Sequence, residues 1–297
     1  MPGPKFNWGA QTYVMGILNL TPDSFSGDGL VGAAGGAGID RTAAAVRQAQ
    51  SFVQAGADIL DVGGESTRPG AVPVSEAEEI ERVIPTVSQL LAEFPDIPVS
   101  IDTYKSRVAR SALEAGASIV NDVWALRADP QMAEVVRDAN AFVILMHNRS
   151  NPDSAELNAR LGGRYVGVKY ENLLEDVKRE LLESVALARR AGIAEDRIIL
   201  DPGIGFGKTV SQNLELIDRL AEIRTLGYPV LIGPSRKSFI GYTLDRPLDQ
   251  RLEGTAAAVA IGIARGADIV RVHDVSEMVL VRSMADAIVR RSGSALD

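Results

Sequence analysis

Polar side chains of ligand-binding types follow short apolar segments at eight places in this sequence of 297 residues. They are Asn19, the stretch from Asp61 to Arg68, Asp102, Asn121, His147, Asp201, the stretch from Ser235 to Ser238, and Arg271 with His273. A single Asp or Asn in such a position commonly forms a turn or caps a helix, because its side chain bonds to nearby backbone amides. The recurrence of polar residues after eight segments instead predicts that these side chains share one site.

The residue types indicate three kinds of ligand group. One set combines donors and acceptors that suit a flat heterocycle with ring N–H, amino and carbonyl groups: Asp102, Asn121, Asp201 and Lys237. A second set suits phosphate oxygens, or a magnesium ion that the phosphate carries: Asn19, Arg68, Arg271 and His273. A third set, of small or apolar residues beside Lys237, suits an aromatic carboxylate: Thr67, Pro69, Phe206 and Ser238.

The apolar segments themselves are short, rich in β-branched residues and separated by longer amphipathic stretches, a pattern typical of βα repeats around a parallel sheet. The predicted strands are Val14–Leu18, Ile59–Val62, Val99–Asp102, Ser118–Asp122, Ala141–Met146, Arg197–Asp201, Val230–Gly233 and Ile269–Val272. The predicted helices include Arg41–Ala55, Glu76–Phe94, Ser106–Ala115, Val168–Ala191 and Asn213–Leu226. The sequence therefore predicts a single-domain TIM (β/α)8 barrel over residues 1–297, with the polar residues at the face where the strands end.

Glycines and long connections refine this picture. Gly56, Gly116 and Gly266 each follow a predicted helix and precede a predicted strand, where a left-handed helix cap is expected. The loops Gly27–Gly38 and Asn148–Gly167 follow strands one and five, and loops of this length in compact domains are more often functional than incidental. The first is predicted to be a lid, whereas a lid and a solvated loop both remain open for the second.

Composition excludes several classes of function. The chain has no cysteine and only two histidines, so disulfides, a thiol nucleophile and a zinc site with several His ligands are not expected. A formal charge of -8 argues against nucleic acid as a partner, and an anionic ligand would need local basic residues. The sequence has no run of apolar residues long enough to span a membrane and no recognisable targeting segment, which predicts a cytoplasmic protein.

Seven segments, in order along the chain, resemble the motifs of the dihydropteroate synthase family. They are MGILNLTPDSFS (15–26), GGESTRPG (63–70), IDTYK (101–105), IVNDV (119–123), DPGIGFGK (201–208), GPSRKSF (233–239) and RVHDV (271–275). Each alone is modest evidence, but the seven together cover nearly the whole chain. The loop Phe25–Leu30 departs from the usual form of the first motif, and His147–Ser150 differs from the commonest form of its segment, so neither Asp28 nor loop five is given a role.

The resemblance implies a role for each set of residues. A pterin ring would be held by Asp102, Asn121, Met146, Asp201 and Lys237. The pyrophosphate would be held by Asn19, Arg68, Arg271 and His273, with Mg²⁺ at Asn19. A p-aminobenzoate pocket, which is also the target of sulfonamides, would be formed by Thr67, Pro69, Phe206 and Ser238. The residues implied in catalysis are Lys237, Asp102, Arg271 and His273.

The implied reaction joins 6-hydroxymethyl-7,8-dihydropterin pyrophosphate to p-aminobenzoate, and the implied assembly is a homodimer. Two alternatives stay open: the pterin-binding barrel of methyltetrahydrofolate methyltransferases, and a catalytically silent pterin-binding relative. Simpler interpretations also stay open for single residues. Asp201 followed by Pro-Gly suits a turn, His147 suits a core residue, and Asp61 and Glu65 are expected to bond to loop backbone outside the site.

Overall fold

A computed structural model of the chain describes residues 4–21, 41–66, 73–151 and 154–290. Its strands are β1 Tyr13–Asn19, β2 Ile59–Gly63, β3 Val99–Asp102, β4 Ile119–Asp122, β5 Phe142–Met146, β6 Ala155–Asn158, β7 Gly162–Tyr165, β8 Ile198–Asp201, β9 Leu231–Ile232 and β10 Ile269–Val272. All but β6 and β7 pair in parallel in the order β8-β5-β4-β3-β2-β1-β10-β9. A further parallel bridge between Leu200 and Val230 joins the two ends of this sheet, which closes the predicted TIM (β/α)8 barrel.

Helices connect the barrel strands along the outside. They are α1 Arg41–Ala55, α2 Glu76–Glu93, α3 Ser106–Glu114, α4 Met132–Asp138, α5 Leu173–Ala191, α6 Val210–Asp218, α7 Leu220–Arg224, α8 Ser238–Leu244, α9 Leu252–Ala264 and α10 Val275–Val289, with short 3-10 turns at Glu195–Arg197 and Leu248–Gln250. In the described part of the chain, no helix is both long and apolar enough to cross a membrane.

The eight predicted barrel strands are confirmed, each to within one residue at either end. The prediction of one continuous helix over Asn213–Leu226 is wrong, because the segment forms two helices that begin at Val210 and are separated at Arg219. Its early start has a local cause: Thr209 and Gln212 form a reciprocal capping box. The predicted helix Val168–Ala191 begins later, at Leu173, where the Asn172 side chain caps the Glu175 amide.

The segment Asn148–Gly167, predicted as a loop, contains the antiparallel hairpin β6–β7. Asn158 forms its turn, since its side-chain oxygen accepts from the amides of Arg160 at 2.9 Å and Leu161 at 2.8 Å. The predicted lid, Gly27–Gly38, lies outside the described residues. The three predicted cap glycines are confirmed, with φ of 98° at Gly56, 112° at Gly116 and 99° at Gly266.

The barrel interior changes character along its axis. Toward the amino ends of the strands, the interior is filled by apolar side chains from every barrel strand but β3. They are Tyr13, Met15, Ile59, Ile119, Phe142, Ile144, Ile199, Leu231 and Ile269. Phe6 stacks on Trp8 and meets Tyr13 and Phe142 edge-on, so the segment before β1 packs against one end. Because side chains at every second position share a face, the same strands then direct polar residues toward the other end.

Candidate active site

Register places three of the predicted residues, together with Gly63, in one row at the carboxyl end of the barrel, which forms its mouth. Asn19 pairs with Gly63, Gly63 with Asp102, and Asp102 with Asn121 across β1 to β4. Gly63 leaves a space in the row, since a Cβ there would lie 3.8 Å from Asn19 Oδ1 and 3.6 Å from Asp102 Oδ2. Two oxygen acceptors therefore face a common space at the mouth.

Arg271 enters the mouth from β10 and lies between two carboxylates. Its Nε donates to Asp61 Oδ2 at 2.6 Å and its Nη2 donates to Asp102 Oδ2 at 2.6 Å. Asn121 Nδ2 also donates to Asp61 Oδ2, at 3.3 Å. The expectation that Asp61 bonds to loop backbone outside the site is therefore wrong: this fully buried carboxylate sits below the mouth and orients Arg271 and Asn121.

Burial and neighbouring charges shift the pKa values of Asp102 and Arg271 in opposite directions. Burial raises the pKa of Asp102, and the Arg271 guanidinium acts against that rise. Burial would lower the pKa of Arg271, but the charges of Asp61 and Asp102 outweigh it and raise the pKa. Arg271 is thus a permanent cation. Its Nε and one terminal nitrogen are already bonded to carboxylates, and these bonds fix the orientation of the other terminal nitrogen.

Asp201 ends β8 and faces a tight glycine turn. Its Oδ1 accepts from the Gly203 amide at 2.7 Å, so the turn interpretation of this residue is confirmed in part. Gly203, Gly205 and Gly207 all have positive φ, and a Cβ at Gly203 would lie 1.9 Å from the carbonyl oxygen of His147. A Cβ at Gly207 would lie 2.2 Å from the carbonyl carbon of Arg149, so Gly203 and Gly207 let the turn lie directly on the chain that follows β5.

Lys237 reaches across this turn from the other side of the mouth. A Cβ at Gly205 would lie 2.7 Å from Lys237 Cδ, so glycine is needed for the lysine stem to pass. The Lys237 ammonium bonds to the Ile204 carbonyl and lies 4.6 Å from the centre of the Phe206 ring. The cation therefore lies beside the ring that the sequence assigns to the aromatic pocket.

Asp201 and Lys237 carry opposite charges that act on each other across the glycine turn. Burial lowers the pKa of Lys237 to about 8, and the negative charge of Asp201 opposes that shift. Burial raises the pKa of Asp201, and Lys237 opposes that shift in turn. A buried carboxylate and a partly buried ammonium at one site suit a neutral ligand that carries adjacent N–H and carbonyl groups.

The remaining predicted residues fall on the same face. Met146 is buried at the end of β5 and pairs in register with Asp201. Ser238 begins α8 next to Lys237, and the His273 amide donates to Ser235 Oγ at 3.1 Å. Thr67, Arg68 and Pro69 lie outside the described residues, as does Asp28.

Sequence reasoning missed Lys208, a fully buried lysine beneath the glycine turn. Its ammonium donates to the carbonyls of Gly203 at 3.0 Å and Phe206 at 2.9 Å, and lies 3.0 Å from His147 Nδ1. His147 Nε2 in turn lies 3.0 Å from Glu180 Oε2. The interpretation of His147 as a core residue with satisfied hydrogen bonds agrees with these contacts. The available signal was its position, because Lys208 is the last residue of the DPGIGFGK segment.

Glu65 and Lys105 support the chain after β2. Glu65 Oε1 accepts from the Val74 amide at 3.3 Å, which confirms the expected backbone bond. Lys105 Nζ lies 2.6 Å from Glu65 Oε2, 2.6 Å from Glu79 Oε2 and 2.7 Å from the Val74 carbonyl. Lys105, the last residue of the IDTYK segment, therefore joins residues 65 and 74.

Comparison with known proteins identifies the family. The family described as "Pterin binding enzyme" matches residues 15–273. The chain belongs to this family. It is 49% identical over 288 residues to the dihydropteroate synthase of Clostridium beijerinckii, covering 97% of this chain and 98% of that protein. It is 46% identical to the dihydropteroate synthase of Bacillus subtilis, covering 95% of this chain and 90% of that protein.

Solved structures agree with these relatives. A dihydropteroate synthase from Clostridium difficile, determined in the presence of pteroic acid, matches with a TM-score of 0.85 and 45% identity over 96% of this chain and 100% of that one. The Xanthomonas albilineans enzyme with 4-aminobenzoic acid matches with a TM-score of 0.81 and 39% identity over 94% of this chain and 93% of that one. The predicted barrel fold, the family and the class of enzyme, a transferase, are confirmed.

Proposed function

We propose that this protein condenses 6-hydroxymethyl-7,8-dihydropterin pyrophosphate with p-aminobenzoate, giving 7,8-dihydropteroate and pyrophosphate in folate biosynthesis. The observation that carries the proposal is that two sets of polar and charged side chains face the same mouth of the barrel. Asp201 and Lys237, whose opposite charges act on each other, lie on one side, and Arg271 and His273 lie two residues apart at the end of β10. The curated relatives matched across most of the chain are named dihydropteroate synthase.

Asp201 and Lys237 suit the pterin ring. The Asp201 carboxylate would accept from the 2-amino group and N3, because a carboxylate meets adjacent N–H and NH₂ groups at two points. Lys237 would donate to the O4 and N5 side, Asp102 and Asn121 would bond to the remaining ring edge, and Met146 would pack on the ring face. All five side chains come from strand ends or, for Lys237, from the segment after β9.

Asn19, Arg271 and His273 suit the diphosphate, together with Arg68 outside the described residues. No group of three His, Cys, Asp or Glu side chains converges as a metal site within the described ranges. The residues present nevertheless fit Mg²⁺, because this ion usually takes one or two protein oxygens and completes its shell with phosphate and water oxygens. Asn19 Oδ1, beside the space above Gly63, would be such an oxygen, and the bound ion would stabilise charge on the diphosphate.

The second substrate would lie between the pterin methylene and α8. Phe206 and Ser238, with Thr67 and Pro69, would form the p-aminobenzoate pocket, and the Lys237 ammonium beside the Phe206 ring contributes positive charge near a carboxylate ligand. This pocket would also receive sulfonamides, and a matched dihydropteroate synthase from Yersinia pestis was solved as a complex with a sulfonamide drug.

The chemistry requires stabilisation of a leaving group and no covalent intermediate. The C–O bond between the pterin methylene and the diphosphate breaks first, and Arg271 and His273 stabilise the negative charge on the departing oxygens. The pterin methylene then carries positive charge, which the negative charge of the Asp102 carboxylate stabilises. The aryl amine nitrogen then attacks the methylene carbon to form the C–N bond, and the resulting ammonium loses a proton to water.

The decisive experiment measures pyrophosphate release by the purified protein. Release should require the pterin ester, p-aminobenzoate and Mg²⁺ together, and chelation of the metal should stop it. Release that does not depend on p-aminobenzoate would show hydrolysis of the ester instead of condensation, and no release with all three would favour the catalytically silent relative; either result would contradict the proposal. Calorimetry separates the methyltransferase alternative, since His273→Gln should weaken binding of the pterin ester much more than of the pterin alcohol.

We also propose that the protein acts in the cytoplasm as a homodimer, with α10 as the contact surface. Leu280, Met284 and Ile288 recur every four residues on α10 and are 72%, 64% and 59% exposed. A helical stripe of this kind can pack against its own copy about a two-fold axis. Sedimentation should show a dimer for the wild type and a folded monomer for Leu280→Glu, with Leu182→Glu on α5 as the control. A monomeric wild type would contradict the dimer.

A further inference from the structure

The residue before Lys237 has an unusual backbone. Arg236 has φ of 55°, in the left-handed region that residues with a Cβ seldom adopt. Such a conformation persists only where surrounding contacts hold it, and it is found most often at functional sites. Because Arg236 directly precedes Lys237, its φ and ψ set the direction in which the Lys237 side chain leaves the backbone.

Contacts with Thr255, Arg251 and Asp274 hold Arg236 in this conformation. Its amide donates to Thr255 Oγ1 at 3.0 Å, and its carbonyl oxygen accepts from Arg251 Nη1 at 2.9 Å. Its guanidinium Nε donates to Asp274 Oδ2 at 3.0 Å. The backbone on both sides of the strained residue is thus bonded to the amino-terminal end of α9, and the side chain to the segment after β10.

Arg251 is itself fixed from several directions. The side chain is buried, and it donates to the carbonyls of Leu161 at 3.0 Å and Arg246 at 3.2 Å as well as to Arg236. Gly241 on α8 makes room for it, since a Cβ there would lie 2.4 Å from Arg251 Nη2. One guanidinium therefore joins the β6–β7 hairpin to the turn that carries Lys237.

We propose that Thr255 and Arg251 are positioning residues that hold Arg236 in its left-handed conformation and thereby aim Lys237 at the pterin. The proposal rests on the proposed function, because it takes Lys237 as a ligand of the ring. Neither residue reaches the mouth; both act through the backbone of Arg236. The hairpin within loop five gains a role from the same contacts, since Leu161 supports Arg251.

The test compares Thr255→Val with Thr255→Ser. Valine keeps the shape of the fully buried threonine but removes the oxygen that accepts from Arg236, whereas serine keeps that oxygen. Calorimetry with 6-hydroxymethylpterin should show roughly threefold to tenfold weaker binding for Thr255→Val, the range for one net hydrogen bond. Thr255→Ser should bind within about twofold of the wild type, and inorganic pyrophosphate should bind all three proteins alike.

A second pair of variants tests the backbone conformation directly. Arg236→Gly and Arg236→Ala both lose the contact with Asp274, but only glycine adopts positive φ without strain. Pterin should therefore bind Arg236→Gly more tightly than Arg236→Ala. Equal affinity in this pair, or wild-type affinity in Thr255→Val, would overturn the proposal, as would equal weakening by Thr255→Val and Thr255→Ser.

Lys237→Met separates this proposal from the proposed function. If Lys237→Met binds pterin more weakly than the wild type, Lys237 is a ring ligand and the Thr255 and Arg236 pairs test only its positioning. Wild-type affinity in Lys237→Met would instead refute the role of Lys237 in the proposed function, and with it the reason for positioning that residue.

Discussion

Replacement of Arg271 by methionine should show how much the stability of the protein depends on the charge of this guanidinium. The Arg271 guanidinium bonds to Asp61 and Asp102 at 2.6 Å each, and the two carboxylate side chains are 0% and 12% exposed. Methionine fills much of the same volume but donates no hydrogen bond. Among the described residues, Asp61 Oδ1 already has no hydrogen-bond partner, so the variant would leave a buried carboxylate with only the long bond from Asn121.

The size of the effect follows from the two bonds that are lost. Hydrogen bonds to charged groups contribute roughly 1.5–3 kcal/mol each, and removing one partner of a buried ion pair costs about 3–5 kcal/mol. We therefore expect Arg271→Met to lower the free energy of unfolding by about 3–5 kcal/mol near neutral pH. Most of the loss should come from Asp61, because Asp102 is partly solvated.

The loss should depend on pH in a definite direction. Burial already raises the pKa of Asp102, and loss of the Arg271 charge that opposes this rise should raise it further above the unfolded value of about 4. An acid with a raised folded pKa destabilises the fold only while it is ionised in the unfolded state, so the penalty falls as pH falls. The difference between variant and wild type should thus be smaller near about pH 5.5 than near about pH 7.5.

Urea unfolding followed by tryptophan fluorescence measures these quantities. Arg265→Met is the matched control, because Arg265 forms an exposed ion pair with Asp218 at 2.8 Å and its loss should cost less than about 1 kcal/mol. The double variant Arg271→Met/Asp61→Asn should recover part of the stability. A loss no larger than the control's, or one that is the same at both pH values, would refute the electrostatic reasoning.

Three further predictions concern the opposite side of the mouth. Asp201→Asn should lower pterin affinity by roughly 2 kcal/mol or more in calorimetry, since one of two acceptors becomes a donor; unchanged affinity would remove Asp201 from the site. Burial lowers the pKa of His147 to about 4 from 6.5, so between these values the unfolded state takes up a proton that the folded state does not. The wild type should therefore lose up to roughly 3 kcal/mol of unfolding free energy as pH falls through that window, and His147→Gln should show a flatter profile; identical profiles would contradict this. Gly203→Ala should lower the melting temperature sharply, because a Cβ would collide with the His147 carbonyl and φ is 72°. Gly227→Ala, also at positive φ but with no atom within 4 Å of its Cβ, separates the collision from the backbone strain.

Much of the fold was predictable because it depends on local patterns. Strands covered on both faces are continuous apolar runs, and Gly56, Gly116 and Gly266 mark the helix ends by their backbone freedom, so each signal lies within a few neighbouring residues. The hairpin β6–β7 was missed because its turn depends on the side-chain bonds of one residue, Asn158, in a polar segment without strong alternation. The break at Arg219 likewise has no strong local signal.

The sequence by itself determined which residue types end each strand and, through its ordered motifs, the family. Only the tertiary structure decided how these residues pair. Arg271 and Asp61 are 210 positions apart, and their contact follows from the pairing of β1 with both β10 and β2, which no local pattern encodes. The same is true of Lys208 beneath the glycine turn and of Arg251 between the hairpin and Arg236. Buried charges must find partners wherever the fold brings them, so their roles become visible only when distant strands and loops are placed side by side.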